Sequence, residues 1–461
     1  MLIVTLVLVF ALAGITLALC RSMGVEMVAS ANYAASLQAS AIERGAEQYL
    51  LSMLTYQAND LTLVTEDYFA AVPVGDGYFW VPRPDYGDPA LPLFGLVGES
   101  SKANINLLTF DQLMALPYMT EDVAAAIVDW RDEDEDINPN GGAENEYYLS
   151  QANGYYCKNA PFETVEELLL VRGVVPEMLY GNGEPAPLGI ETMFMATGLS
   201  TLNEVWLERG LYDLLTVYGT EPTTGPDGTQ RVSVSDASQR GQLRELLASK
   251  LGETRGNEIA SALGNGAVVD VFDMYFRARM TADELSAIID YVTSTPPNSG
   301  AASGSASAGG QQQPQPVRGR IDVNTAPREV LLTLDLDSTD VDKLIAQRQG
   351  IGLSNDPYNV AWVADALGQK SIGLGNRITG RSYQHSALIC AVSGNGRGFK
   401  VVRIVIDASG TTPRIVYRRD LTERGWPMEP EILAALRAGQ GPGAWGGTSG
   451  LMGGRLGGGL R

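Results

Sequence analysis

The chain opens on an unbroken apolar run. Residues 1–20, MLIVTLVLVFALAGITLALC, carry no charged side chain, and Arg21 ends the run. At about 1.5 Å per residue, twenty helical residues span about 30 Å, the hydrocarbon thickness of a bilayer. Nothing basic precedes the run, as the n-region of a secretory signal peptide would. The pattern therefore predicts a membrane-spanning helix rather than a cleaved signal or a buried core helix. Beyond Arg21 the chain stays helical in pattern, free of proline as far as Tyr56. Met23, Met27, Ala31, Ala34, Leu37, Ala41, Ala46, Tyr49 and Met53 recur mostly at steps of three or four, which predicts one apolar helix face. The expectation is a single helix of about fifty residues, half lipid-soluble (1–20) and half amphipathic (21–60).

Short β-type runs follow at 77–81 (GYFWV) and 93–97, within a first sheet segment spanning 61–104. Helical spacing then dominates, at 111–116, 121–131, 164–172, 201–215, 239–251 and 281–292, within a helical unit over 105–294. Residues 295–317 contain PPNSGAASGSASAGGQQQPQP, a low-complexity linker. A further helical segment occupies 318–380. Three strands are predicted at 382–393, 400–407 and 414–418, with Asn395-Gly396 and Ser409-Gly410 as turn signals, in a unit spanning 381–435. Residues 436–461 read as a Gly-rich disordered tail. Neither β segment alone makes a stable sheet. Joined, they give one antiparallel sheet for the long helix to cover, with the helical unit inserted into it. The fold class is α+β.

A weak repeat runs through the helical part. Residues 105–109 (INLLT), 232–236 (VSVSD) and 321–325 (IDVNT) each read as a strand entry leading into a capped, apolar-periodic helix. Val123-x-x-x-Ile127 and Val341-x-x-x-Ile345 begin a second helix in the outer copies. Asn324 or Thr325 is placed to cap the helix after 321–327, and Pro327 suits its first turn.

Of the 461 residues, 45% are hydrophobic, enough for two or three packed units. Lys plus Arg is 33 against 54 for Asp plus Glu, a net charge of −21, which opposes contact with a phosphate backbone. One histidine, His385, leaves little material for zinc sites or imidazole catalysis. Cys20, Cys157 and Cys390 form no CxxC motif, and Cys157 with Cys390 is a candidate disulfide in an oxidising compartment. Ser393-Gly-Asn-Gly396 reads as a turn, with no nucleophile-elbow context.

Residues 129–147, DWRDEDEDINPNGGAENEY, hold the densest carboxylate cluster in the chain. Asp129, Asp132, Asp134, Asp136 and Glu144 offer hard oxygen ligands suited to Ca2+. Asp132-x-Asp134-x-Asp136 begins like an EF-hand, but Ile137 occupies its glycine position. A solvated acidic loop is the other reading. A glycosidase or aspartyl-type pair needs carboxylates held across a cleft, which a run on one loop does not suggest.

The long N-terminal helix resembles those of type IV pilins and type II secretion pseudopilins. The stretch with Asp129, Trp130, Asp132, Asp134, Gly142, Ala143, Glu144 and Tyr147, and the segment IDVNTAP at 321–327, resemble the K-type minor pseudopilins of type II secretion. The resemblance implies a pilin-like sheet carrying an inserted helix-hairpin-helix-like domain, calcium binding near the DWRDED loop, and no catalysis. Asp132, Asp134 and Glu144 are the leading ligand candidates, with Trp130 in the core. It implies an inner-membrane anchor with a periplasmic head, I- and J-type minor pseudopilins as partners at the pseudopilus tip, and prepilin peptidase processing and methylation at Met1. Most of the class carries glutamate at the fifth mature position, which pairs with the terminal ammonium of the subunit above. With Met1 taken as the mature first residue, that position is Thr5, as suits a subunit with nothing above it. The rival readings are a minor or tip pilin of a type IV pilus and a membrane-tethered helix-hairpin-helix DNA receptor. The hairpins at 116–119 and 334–337 lack the glycine that DNA-binding versions use, so no nucleic-acid partner is expected.

Overall fold

A computed structural model describes residues 2–56, 68–84, 94–180, 210–225, 227–264, 266–294, 316–351, 358–410, 412–428 and 430–441. Most of the expected 201–215 helix and 295–317 linker, and the tail beyond 441, lie outside the described residues.

Helix α1 runs unbroken from Leu2 to Tyr56. Its first half is long and apolar enough to cross a membrane, and none of it is buried against the rest of the chain. Its second half lies on a six-stranded antiparallel sheet. The strands are β1 (Val72–Val74), β2 (Gly77–Trp80), β3 (Val97–Gly98), β4 (Gln384–Val392), β5 (Phe399–Asp407) and β6 (Arg414–Asp420). The order is β1-β2-β4-β5-β6, with β3 also paired to β4. Strand β5 pairs along the whole of β4, from Gln384↔Asp407 to Val392↔Phe399. On the other side, β2 takes Cys390–Val392 and β3 takes His385–Ser386. The early and late β segments thus complete one sheet, as a split sheet requires.

The face of α1 that meets the sheet is Ala35, Ala39, Ile42, Ala46, Leu50 and Leu54, all buried. The expected row shares Ala46 with this face, and its Tyr49 and Met53 pack half-buried beside it. Its earlier members Met23, Met27 and Leu37 stay exposed, which corrects that part of the expectation. Leu37 is 54% exposed. The sheet selects the row that starts with small alanines, where Gly398, just before β5, lies against the Ala35 backbone, and continues with Ile42, Leu50 and Leu54. Glu43 and Glu47 flank that row and hold Arg418 of the edge strand β6 at 3.0 and 2.7 Å. Burial raises the Glu43 pKa, and the neighbouring Glu47 raises it further, while Arg418 opposes both. The opposite sheet face, with Trp80, Leu388, Cys390 and Val392, is covered by a C-terminal helix, Pro430–Arg437. The sequence reading missed that helix and placed a disordered tail from 436.

Between β3 and β4 the described residues make three helical units of one design. Each opens on a two-residue strand and closes on a parallel partner: Ala103–Asn104 with Leu215–Thr216, Val232–Ser233 with Val292–Thr293, and Ile321–Asp322 with Ile378–Thr379. The residue after each opening strand donates its N–H to the closing strand: Ile105 to Thr216, Val234 to Thr293 and Val323 to Thr379, at 2.8–3.1 Å. This confirms the repeat and corrects its register. Ile105 corresponds to Val323 and not to Ile321, so Ala103-Asn104-Ile105-Asn106 matches Ile321-Asp322-Val323-Asn324.

In the outer units an arginine at the end of the second helix locks that strand exit. In the first unit this helix is α3 (Glu121–Arg131), which follows α2 (Phe110–Met114). Arg131 donates to the carbonyls of Ile105 and Leu108. Arg348 in the helix Ser338–Ile351 donates to those of Val323 and Ala326. The hairpins reverse through Tyr118 (φ 63°) and Asp335 (φ 62°), left-handed positions filled without glycine. In the third unit Pro327 is the N-cap residue of the helix Arg328–Leu332. Asn324 instead accepts from Trp362 Nε1 and Thr325 donates to Asp322, so neither caps it. The expected helix at 164–172 is a 3-10 segment, Val165–Leu170.

The helical units meet the sheet through buried charge. Glu99 and Lys102 pair at 2.8 Å with almost no exposure, and Thr216 donates to the same carboxylate. Cys157 lies in the core of the first helical unit and Cys390 in the middle of the sheet, both unpaired. The anticipated disulfide is not formed, because the two thiols belong to different cores.

Candidate functional site

The site is built on the end of α3. Thr120 is its N-cap residue, and its apolar row Val123, Ala124, Ile127 and Trp130 anchors it in the core. Trp130 packs edge-on against Tyr148 at 5.1 Å, as its expected core role requires. That packing leaves Asp129, on the same turn, with no exposure at all. The chain then leaves the helix at Asp132 and folds back. Gly141 and Gly142 both donate N–H to the Asn138 carbonyl, and Asn138 N–H donates to Asp129 Oδ2 at 3.1 Å. A Cβ on Gly142 would lie 1.9 Å from Asp129 Oδ2, so the return pass needs a glycine there.

Glu144 follows as the N-cap residue of a short helix, Asn145–Leu149, but its side chain caps nothing. Both Glu144 carboxylate oxygens are buried without a hydrogen-bond partner, as are Asp129 Oδ1 and Asp132 Oδ1. Asn159 Oδ1 is orphaned in the same way, while its Nδ2 donates to the Asp134 carbonyl at 2.7 Å. Burial raises the Glu144 pKa to about 7, and the Asp129 charge adds to it. Asp132 is raised to about 6 by burial and by Asp134 and Asp129. Asp129 is raised too, chiefly by burial. The mutual repulsion places Asp129, Asp132 and Glu144 within electrostatic reach of one another.

Buried polar oxygens are normally satisfied. Five side-chain oxygens, from three stretches of chain, are here left buried without a hydrogen-bond donor. An all-oxygen set suits a hard ion with flexible coordination. Among the described residues, no three His, Cys, Asp or Glu side chains already stand at metal-ligand spacing. The fit to a cation therefore rests on the orphaned oxygens and not on a preformed cage.

Of the sequence candidates, Asp129, Asp132 and Glu144 face inward together. Asp134 and Asp136 stay exposed, and Asp134 Oδ1 accepts the Asp136 N–H at 2.9 Å. Asn159 escaped the sequence reading, since an asparagine 25 residues beyond Asp134 carries no local signal. Thr5 lies exposed in the apolar half of α1, remote from this site.

Residues 93–180, which contain the whole site, match the family model for the type II secretion system (T2SS), protein K. The matched region comprises β3 and most of the first helical unit, so the orphaned oxygens lie inside it. Among solved structures, the chain is similar at 14% identity to one in the GspK-GspI-GspJ complex from the enterotoxigenic Escherichia coli Type 2 Secretion System. That match covers 86% of this chain and 99% of that one, with a TM-score of 0.37. No curated protein sequence matches the chain.

Proposed function

We propose that the chain is a structural minor pseudopilin of type II secretion and catalyses no reaction. In this reading residues 1–20 cross the inner membrane once and the head lies in the periplasm. The protein K match over residues 93–180 carries the reading. A membrane-length helix seated on a split antiparallel sheet supports it. Its partners are I- and J-type minor pseudopilins, with which it caps the pseudopilus. Prepilin peptidase processing and methylation at Met1, and a tip role for Thr5, belong to the same reading. Intact-mass analysis of the purified subunit tests the processing. Deletion should abolish exoprotein secretion, and the tagged chain should co-purify with I- and J-type subunits. Normal secretion with loss of surface pili or of adhesion would establish the pilus reading instead. Salt-dependent DNA binding would revive the receptor reading, although the apex of the third-unit hairpin presents the Asp335 carboxylate, paired with Arg377 at 2.8 Å.

The same region is proposed to hold Ca2+ through Asp129, Asp132, Glu144 and Asn159. The ion would supply the positive charge that the converging carboxylates lack and tie the 132–144 loop to α3. Calcium should raise the melting temperature of the full-length chain in detergent, and a chelator should reverse the rise. An unchanged Tm under both conditions would leave a solvated acidic loop.

A further inference from the structure

A second charged site lies away from the acidic loop, between the second and third helical units. Its cavity of about 30 Å³ is lined by Glu221, Arg231, Asp290, Thr293, Arg320 and Arg381, among others. Three guanidiniums therefore face two carboxylates. Glu221 is shared: Arg231 pairs with Oε1 and Arg320 with Oε2, the latter at 3.0 Å. Arg231 also donates to the Tyr383 hydroxyl at 2.9 Å, and Arg320 to Thr293 Oγ1 at 3.0 Å. Arg381 pairs with Asp290 at 3.1 Å and stacks over the Tyr358 ring at 3.8 Å. The Arg231 side chain is only 4% exposed, and its Nε–H is buried without a partner, as is that of Arg381.

A buried N–H without an acceptor is unfavourable, and a buried excess of charge more so. Among the described residues, the lining groups carry one more positive than negative charge, in a chain whose net charge is −21. Because a water needs about 10–15 Å³, the space admits only a small occupant. Water would satisfy the N–H groups but not the charge. A monovalent anion would answer both, and the cavity size limits it to about a halide.

We propose that this cavity binds a chloride-sized monovalent anion that neutralises the arginine cluster and joins the second and third helical units. The inference is independent of the secretion reading. The test compares full-length protein in detergent in sodium chloride and in sodium gluconate at equal ionic strength, gluconate being too large to enter. Tm should be higher in chloride by about 3–6 °C, saturating with concentration. Thr293→Asp places a carboxylate beside Arg320, supplies the missing charge from the chain, and should abolish the difference between the salts. Crystals grown in bromide should show one anomalous peak within hydrogen-bonding distance of Arg231. Should Thr293→Asp fail to fold, the wild-type melts and the bromide peak decide the matter. Equal melting in the two salts, or density at the site with no anomalous signal, overturns the proposal in favour of ordered water.

Discussion

Gly142→Ala probes the acidic site most directly. The added Cβ would sit 1.9 Å from Asp129 Oδ2, 2.7 Å from its Cγ and 2.9 Å from Asn138 Cβ. Asp129 cannot retreat, because it is fully buried on a helix pinned by Trp130. The loop must therefore lift and give up the Asn138 N–H to Asp129 bond. Losing a hydrogen bond to a charged group costs about 1.5–3 kcal/mol, and overpacking a further 1–3 kcal/mol or so. The expected destabilisation is about 3–5 kcal/mol, with loss of the calcium-dependent rise in Tm. The cause is steric, since Gly142 is not in the left-handed region. Gly141→Ala is the matched control. Its φ of 97° is unfavourable for alanine, and its Cβ would meet Asp122 rather than Asp129. That variant should lose stability and keep its response to calcium. Melting curves of both, with calcium and with chelator, separate the two effects. If Gly142→Ala melts like the wild type and keeps the full calcium shift, Asp129 is not the pivot of the site.

Two further outcomes follow from the buried charges at the junction of sheet and helical units. Lys102→Met removes the hydrogen-bonded counter-ion of buried Glu99, leaving only the nearby Arg403 charge, and should cost about 3 kcal/mol in denaturant unfolding, most of it recovered by adding Glu99→Gln. A loss below about 1 kcal/mol for Lys102→Met would show that the pair is not desolvated as its geometry implies. His385 is held neutral in the sheet: burial lowers its pKa to about 4, only partly opposed by the nearby Glu99 charge. The unfolded chain takes up a proton near pH 6.5 and the folded chain does not, so this contribution to stability is lost as pH falls from about 6.5 to 4. The full loss is about 3 kcal/mol. Since it is the only histidine, His385→Gln should flatten that part of the pH profile, and an unchanged slope would assign it to carboxylates instead.

Much of the architecture was legible because periodicity reports burial. The prediction of 121–131 matches α3 in full, and the three late strands were found from β-branched runs and turn residues. What escaped was set by tertiary contact. Residues 253–263 look like a poor helix, with Gly256 inside and Gly252 and Gly264 at its ends. Yet Gly256 is the point of contact: a Cβ there would come within 2.4 Å of the Ala248 backbone in the preceding helix, Arg240–Leu251. Intrinsic propensity penalises the glycine that the crossing demands. The first part of the α1 face was misjudged for a related reason. Hydropathy favours Met23, Met27 and Leu37, whereas a close-packed sheet favours Ala35 and Ala39.

The acidic site separates two kinds of signal. A run of carboxylates in sequence shows that charge is concentrated, but not which oxygens lose water. Asp134 and Asp136 sit two and four residues from Asp132, yet they remain solvated while Asp132 Oδ1 is buried. The selection is made by the helix end and by the glycine return. Asp129 faces inward because Trp130 and Ile127 fix the rotation of α3, and Glu144 meets it because Gly142 lets the chain pass within contact distance. Asn159 arrives from a third stretch, positioned by the hydrogen bond from Cys157 N–H to Asn145 Oδ1 at 2.8 Å and by its own bond to the Asp134 carbonyl. The site is thus a property of packing within the first helical unit. Substitutions that rotate α3 without touching a carboxylate, Trp130→Ala foremost, should therefore weaken a cation there as much as loss of one of its oxygens.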